Sequence, residues 1–186
     1  QATAEGSEPS HAGTAAAASV WWNWTPTVSQ TVLISTAGSN FDTRLAVYTG
    51  APVSALTLVA QNEDQGNGVT TSLISVAVVA GTTYSIAVDG FAAATGNVAL
   101  SISLPPTVSV VATDAAASEA GPNTGTFIVG RSGSTAAALT VYFSVGGTAS
   151  DYADYTAFAS PLTFAAGQAV RALTVTPLAD TQYEGD

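Results

Sequence analysis

The segment Val98-Ala99-Leu100-Ser101-Ile102-Ser103-Leu104-Pro105-Pro106-Thr107 alternates apolar with small or polar residues and then halts at two prolines. Apolar residues at every second position share one face of an extended strand, so the first seven residues predict a strand with one buried face. Paired prolines donate no ladder hydrogen bonds and stiffen the chain, so a domain boundary is expected there. Outward from this point the same period recurs in Val20, Trp22 and Trp24, in Tyr84, Ile86 and Val88, and in Val141, Phe143 and Val145. Turn signals separate these runs: Ala37-Gly38-Ser39-Asn40, Gln65-Gly66-Asn67-Gly68, Gly121-Pro122-Asn123 and Gly146-Gly147. The helical candidate, the alanines between Thr14 and Ala18, falls far below the roughly 12–15 residues an isolated helix needs. The fold class is therefore all-β, with two tandem antiparallel β-sandwiches over residues 1–104 and 105–186. Strands are expected near 19–25, 30–35, 45–49, 56–61, 72–78, 83–89 and 97–104 in the first. In the second they are expected near 107–112, 125–131, 139–145, 161–164 and 169–176.

The chain has 186 residues, 47% of them hydrophobic, which is ample for a packed core and excludes a disordered tail. Only 9% are charged, 13 acidic against three basic, for a net charge of −10. That balance argues against a nucleic-acid partner. Displacing counterions from a polyanion takes clustered Lys and Arg, whereas the basic residues here are the scattered Arg44, Arg131 and Arg171. Anionic membrane surfaces are disfavoured for the same reason, and no run of about 18 apolar residues is present to insert into a bilayer. The N-terminus lacks the basic-then-apolar layout of a signal peptide, so a secreted form is expected to have lost its signal. Cys is absent, which excludes disulfides, thiolate chemistry and Cys-based zinc sites, and without Lys no Lys–Asn isopeptide can staple the sandwiches. Another brace is expected.

The first part carries "EGSEPSHAG", "SVWWNWTP", "STAGSNFDTRLAVYTG", "LTLVAQNEDQGNG" and "GTTYSIAVDG" in that order. Over residues 5–104 it resembles the bacterial pre-peptidase C-terminal domain family, jelly-roll-like β-sandwiches found beside secreted proteases and within large surface proteins. Members of that family usually have a further segment ahead of the point where this chain begins. The second part carries "SEAG", "GTAS", "DYT", "FAAGQ" and "LADTQYEGD". It resembles a Calx-beta domain, the immunoglobulin-like module of sodium–calcium exchangers, integrin tails and many bacterial adhesins. In that family the closing acidic motif leads into one more strand, so the resemblance implies a sandwich that lacks its last strand within the chain.

The Calx-beta resemblance implies a calcium site at one end of the second sandwich, and the matching positions are Glu119, Asp154, Asp180, Glu184 and Asp186. Two carboxylates about 5 Å apart repel by roughly 3 kcal/mol at an effective dielectric of about 20, so such a cluster favours a bound cation. Oxygen ligands without Cys select calcium over transition metals. The chain departs from exchanger-type sites, which have consecutive aspartates where Ala179, Asp180 and Thr181 stand. In the first domain the analogous candidates are Asp42, Asn62, Glu63 and Asp64, with Glu5 or Glu8 as further ligands. The bland reading of these is a turn cap at Asp42 and solvated side chains at Glu63 and Asp64.

Of the three tryptophans, alternation assigns Trp22 and Trp24, with Val20, to the core and points Trp21 outward, a poor platform for stacking on a sugar. Asn23-Trp24-Thr25 matches a glycosylation sequon but lies inside a strand. His11, the lone imidazole, reads as a structural hydrogen-bonding residue, and no nucleophile elbow, zinc-protease motif or phosphate loop is present. The expected function is a non-enzymatic extracellular module of a bacterial cell surface, braced by calcium. It would self-associate head to tail by β-strand addition, with the residues before Thr14 as a candidate donor, and bind surface or matrix ligands. The rival expectations are an accessory region of a secreted hydrolase and a glycan-binding module.

Overall fold

The computed structural model describes residues 2–121, 123–135 and 137–179. Alternation in the sequence becomes strand nearly everywhere, and the chain divides into two compact units, Gln1–Pro105 and Pro106–Asp186. Unit 1 holds β1 (Val20–Trp24), β2 (Gln30–Ser35), β3 (Thr43–Thr49), β4 (Thr57–Asn62), β5 (Leu73–Val78), β6 (Tyr84–Gly90) and β7 (Ser101–Ser103). They form a four-stranded sheet, β1-β6-β3-β4, and a three-stranded sheet, β5-β2-β7, all antiparallel. The sheets face each other across one core built from Val32 and Ile34, Leu45 and Val47, Ile74 and Val76, and Ile86 and Val88. Each pair sits at alternating positions on its strand, the pattern that period-2 burial requires.

One expectation fails in an informative way. The sequence implies one buried face per strand, yet β3 is buried from Thr43 to Tyr48 and β6 at every residue but Ser85. The second face of the four-stranded sheet carries Ala46, Tyr48 and Ala87, with Trp21 and Leu56 packed against them. The segment ahead of β1 lies over this face: its His11 is fully buried against Tyr48 and Trp21. Alternation therefore assigns Trp21 to the correct face, opposite Ala87 in register, but that face is covered and not open to solvent. Trp22 shares the core face with Ile86 yet remains 36% exposed, because β1 is the edge of its sheet.

The opening segment of the sequence also shortens. Val98 and Leu100 pack against the core, but only 101–103 form a strand. Residues 97–99 spend their backbone groups elsewhere: Asn97 N–H donates to Asn40 Oδ1 at 2.7 Å and Ala99 N–H to Ser39 Oγ at 3.0 Å. Gly96 permits that approach, since a Cβ there would lie 2.2 Å from Asn40 Oδ1.

Unit 2 holds β8 (Val108–Asp114), β9 (Gly125–Arg131), β10 (Leu139–Val141), β11 (Leu162–Phe164) and β12 (Val170–Val175). A three-stranded sheet, β12-β9-β8, and a two-stranded sheet, β10-β11, enclose a smaller core of Val129, Leu162 and Phe164. β10 ends at Val141, short of the expected 145, because the Ser160 hydroxyl replaces a ladder partner. It accepts from Phe143 N–H at 3.2 Å and donates to Phe143 C=O at 3.0 Å. β8 is exposed along its whole length, so no face of that strand is buried as alternation implied. Arg131 is buried in this unit, donating through Nη1 and Nη2 to the Ala137 carbonyl at 3.1 Å and lying over the Phe164 ring.

Candidate functional site

Three features have chemistry to offer, and each is built by the ladders just described. The first is the acidic end of unit 1. The turn that delivers Asp42 into β3 lies by the end of β4, where Asn62 closes the strand and Glu63 and Asp64 follow in the loop leaving it. Beneath them a buried hydroxyl cluster fixes both segments. Thr36 Oγ1 and Thr43 Oγ1 are 2.6 Å apart, and the single Ser72 hydroxyl proton is shared between the carbonyls of Thr43, 2.7 Å from Oγ, and Glu63, 2.6 Å from it. Asn62 is spent on the loop itself: its amide donates to the Asp64 carbonyl at 3.1 Å, and its oxygen accepts from Leu73 N–H at 3.0 Å.

Asp42 feels the charges of both neighbouring carboxylates. Burial pushes the Asp42 carboxyl above its ordinary value, the charges of Asp64 and Glu63 push it further, and Arg44 works against them. Asp42 Oδ1 is buried without a hydrogen-bond partner, whereas Glu63 accepts from Arg44 Nε at 3.4 Å. An orphaned carboxylate beside two others is an environment that a hard cation relieves. Among the described residues, no group of three or more His, Asp or Glu is placed to hold a metal ion by itself. Calcium here would draw on Asp42 with loop oxygens, and Asn62 is already engaged.

In unit 2 the half-buried Glu119 and Asp154 lie on different loops. Asp154 closes its own turn, with Oδ2 accepting from Ser150 N–H and its N–H donating to the Ser150 carbonyl at 3.0 Å. Its carbonyl also accepts from Leu178 N–H at 2.9 Å. Asp180, Glu184 and Asp186 lie outside the described residues.

The second feature is a groove of about 300 Å³ in unit 2, between the inner face of β8-β9-β12 and the segment continuing β10. Val108, Val110, Phe127, Val129, Phe143 and Leu173 line it, and among the described residues no titratable side chain does. Among the described residues β10 pairs with a strand on one side only, and its Val141 also lines the apolar trough. The sequence signal for this trough was the alternation of Val141, Phe143 and Val145; that it would remain open was not legible from that pattern.

The third feature was missed as a group, although His11 was singled out. Glu8, His11, Ser19, Trp21 and Tyr48 converge under the N-terminal segment. Glu8 Oε1 faces His11 Nε2 at 2.9 Å and accepts from Trp21 Nε1 at 2.7 Å and from Ser19 Oγ. Burial acts to raise the Glu8 carboxyl, but hydrogen bonds from Ser19, His11, the Glu5 N–H and Trp21 outweigh it and hold the group below its ordinary value. Burial, and then the Glu8 charge, push the Tyr48 phenol up to about 12. Glu8 and His11 side chains are at most 1% exposed, so the cluster positions chain segments and has no room for a substrate. Comparison with family models, with curated proteins and with solved structures finds no match for this chain.

Proposed function

We propose that the chain is a non-enzymatic structural and adhesive module of a bacterial cell surface, in which copies associate head to tail by β-strand addition and calcium braces the loops. The observation that carries this reading is the unit 2 groove. A free strand edge asks for main-chain hydrogen bonds, and the apolar lining beside it asks for alternating aliphatic side chains, the two demands a β-strand meets together. Residues before Thr14 are poor donors, because Glu8 and His11 are already bonded within unit 1. The motif resemblances to modules of surface proteins support the same setting. In size-exclusion chromatography with light scattering, the protein is expected to run above its 18.4 kDa mass in a concentration-dependent way, with filaments by electron microscopy. A monomer at all concentrations would defeat the reading.

Calcium is the brace this reading assigns to Asp42, Glu63 and Asp64, supported by the orphaned Asp42 oxygen. A carboxyl whose folded value is raised costs stability as pH rises through its ordinary range, and at neutral pH that cost is present in full unless a cation offsets it. A site with a Kd of about 10⁻⁴ M in about 1 mM calcium contributes roughly 1.4 kcal/mol, so Tm is expected to rise by roughly 6–11 °C over a chelator control. Equal melting with and without calcium removes this element. A second reading, glycan binding, is favoured by Tyr142 and Tyr152, each 79% exposed, and a glycan array tests it.

A further inference from the structure

The hydrogen-bond arithmetic around His11 leaves little freedom. Tyr48 has one phenolic proton and donates it to the Ser10 carbonyl at 2.8 Å. His11 Nδ1 lies 2.8 Å from the same phenol oxygen and must therefore be the donor in that contact. On the other side of the ring, Glu8 Oε1 already accepts from Trp21 and Ser19, and Glu8 Oε2 accepts from Glu5 N–H at 2.8 Å, which are the bonds of an ionised carboxylate. A lone pair on His11 Nε2 facing that oxygen at 2.9 Å would be repelled, so this nitrogen carries a proton as well.

We propose that His11 is held doubly protonated as the cationic half of a buried ion pair with Glu8, and that this pair is an acid-sensitive latch fastening the N-terminal segment over the outer face of the four-stranded sheet. The segment has few other ties. Residues 2–10 and 12–18 hold no regular ladder, and besides the pair they are fixed by the Tyr48 hydroxyl on the Ser10 carbonyl, the His11–Thr14 bridge, the Ala4 N–H to Ala17 C=O bond, and Asp89 at the far end. Around the imidazole the facing groups are Glu8 on the segment itself, Trp21 on β1 and Tyr48 on β3. The other charged groups on that sheet face are Arg44 and Asp89, cross-strand neighbours on β3 and β6.

The sign follows from the carboxylate. Its value lies below the ordinary 4.5, so its contribution is complete above about pH 4.5 and is lost as pH falls through the lowered value. Protonation takes the negative charge off the carboxyl that three donors share and leaves the buried imidazolium without its counter-charge, an arrangement the interior does not tolerate. The segment lifts while the sandwich, held by its apolar core, stays folded; such local openings take place well below the free energy of global unfolding.

The test is nuclear magnetic resonance on the full chain. At neutral pH the His11 ring is expected to show two protected N–H protons, and the His11 and Thr14 amides to be protected from exchange. On acidification below pH 4.5 the protection of those two amides, corrected for intrinsic rate, is expected to fall at least about tenfold while β3 and β6 amides keep theirs. Glu8→Gln is expected to free the segment at neutral pH in the same way. A single ring N–H would overturn the ion pair. Loss of protection in segment and sheet together, or a segment unmoved by acid, would overturn the latch. The wild-type titration decides both points even where the variant does not fold.

Discussion

Alanine at position 89 is expected to destabilise unit 1 by about 3 kcal/mol, lowering its Tm by roughly 12–24 °C, as read by calorimetry on the full chain. Asp89 is 1% exposed and accepts three backbone N–H groups: Ala17 and Ala18 at 2.8 Å from the segment ahead of β1, and Gly90 at 2.8 Å from its own strand end. A hydrogen bond to a charged group contributes about 1.5–3 kcal/mol, but the three are not additive here, because N–H groups of a lifted segment regain water. Asp89→Asn keeps the volume and one oxygen acceptor, so it should fall between wild type and alanine. A loss below about 1 kcal/mol for alanine would mean the segment is not pinned by this carboxylate.

Asp89 and the Glu8–His11 pair stand at the two ends of one cover, and together they explain why β3 can bury both faces. A central strand with two buried faces normally reads as continuously apolar. β3 reads Thr-Arg-Leu-Ala-Val-Tyr-Thr, mixed in character, because its second layer is a hydrogen-bonded loop segment and not a sheet or helix. Small side chains at Ala46 and Ala87 leave room for that segment to approach, while Tyr48 and Trp21 supply the donors and rings that hold it. Sheet and cover are thus one construction in which the polar groups buried between them, Glu8, His11, Tyr48 and Asp89, are each hydrogen-bonded.

What the sequence disclosed and what it withheld follows from the range of the forces involved. Ladders were legible because alternation is a local, repeated signal: Tyr84, Ile86 and Val88 announce β6, and Val32 with Ile34 lies opposite them in the core. The cover was not legible, because the segment from Ala2 to Ser19 has no period and its partners are distant in sequence, Glu8 on Trp21 at 13 residues and His11 on Tyr48 at 37. The available signal was chemical and not periodic: a lone His three residues from a Glu, in a chain with few charges. The acidic end was half legible. Asp42, Glu63 and Asp64 were grouped from the motif, and the charges of Glu63 and Asp64 act on Asp42, yet neither the Asn62 bonds that tie up its side chain nor the Arg44 contact to Glu63 could be read without the turn geometry.

Arginine at position 110 is expected to abolish copy-to-copy association while leaving the fold intact. Val110 lines the unit 2 groove and is 60% exposed, so a long charged side chain there reaches water in the monomer and should alter stability by no more than about 0.5 kcal/mol. In an assembled state the same position lies beneath an added strand. Losing the valine contact forfeits about 1.5 kcal/mol and burying an unpaired guanidinium costs more, so Kd is expected to rise at least about 100-fold. The matched control is Val111→Arg. Val111 is 58% exposed and next along the same strand, but alternation turns it to the opposite face, away from the groove. Light scattering should find Val110→Arg monomeric and Val111→Arg assembled like wild type. Equal loss in both would assign the effect to the net charge of a β8 edge and not to the groove, and equal retention would remove the groove from the assembly altogether.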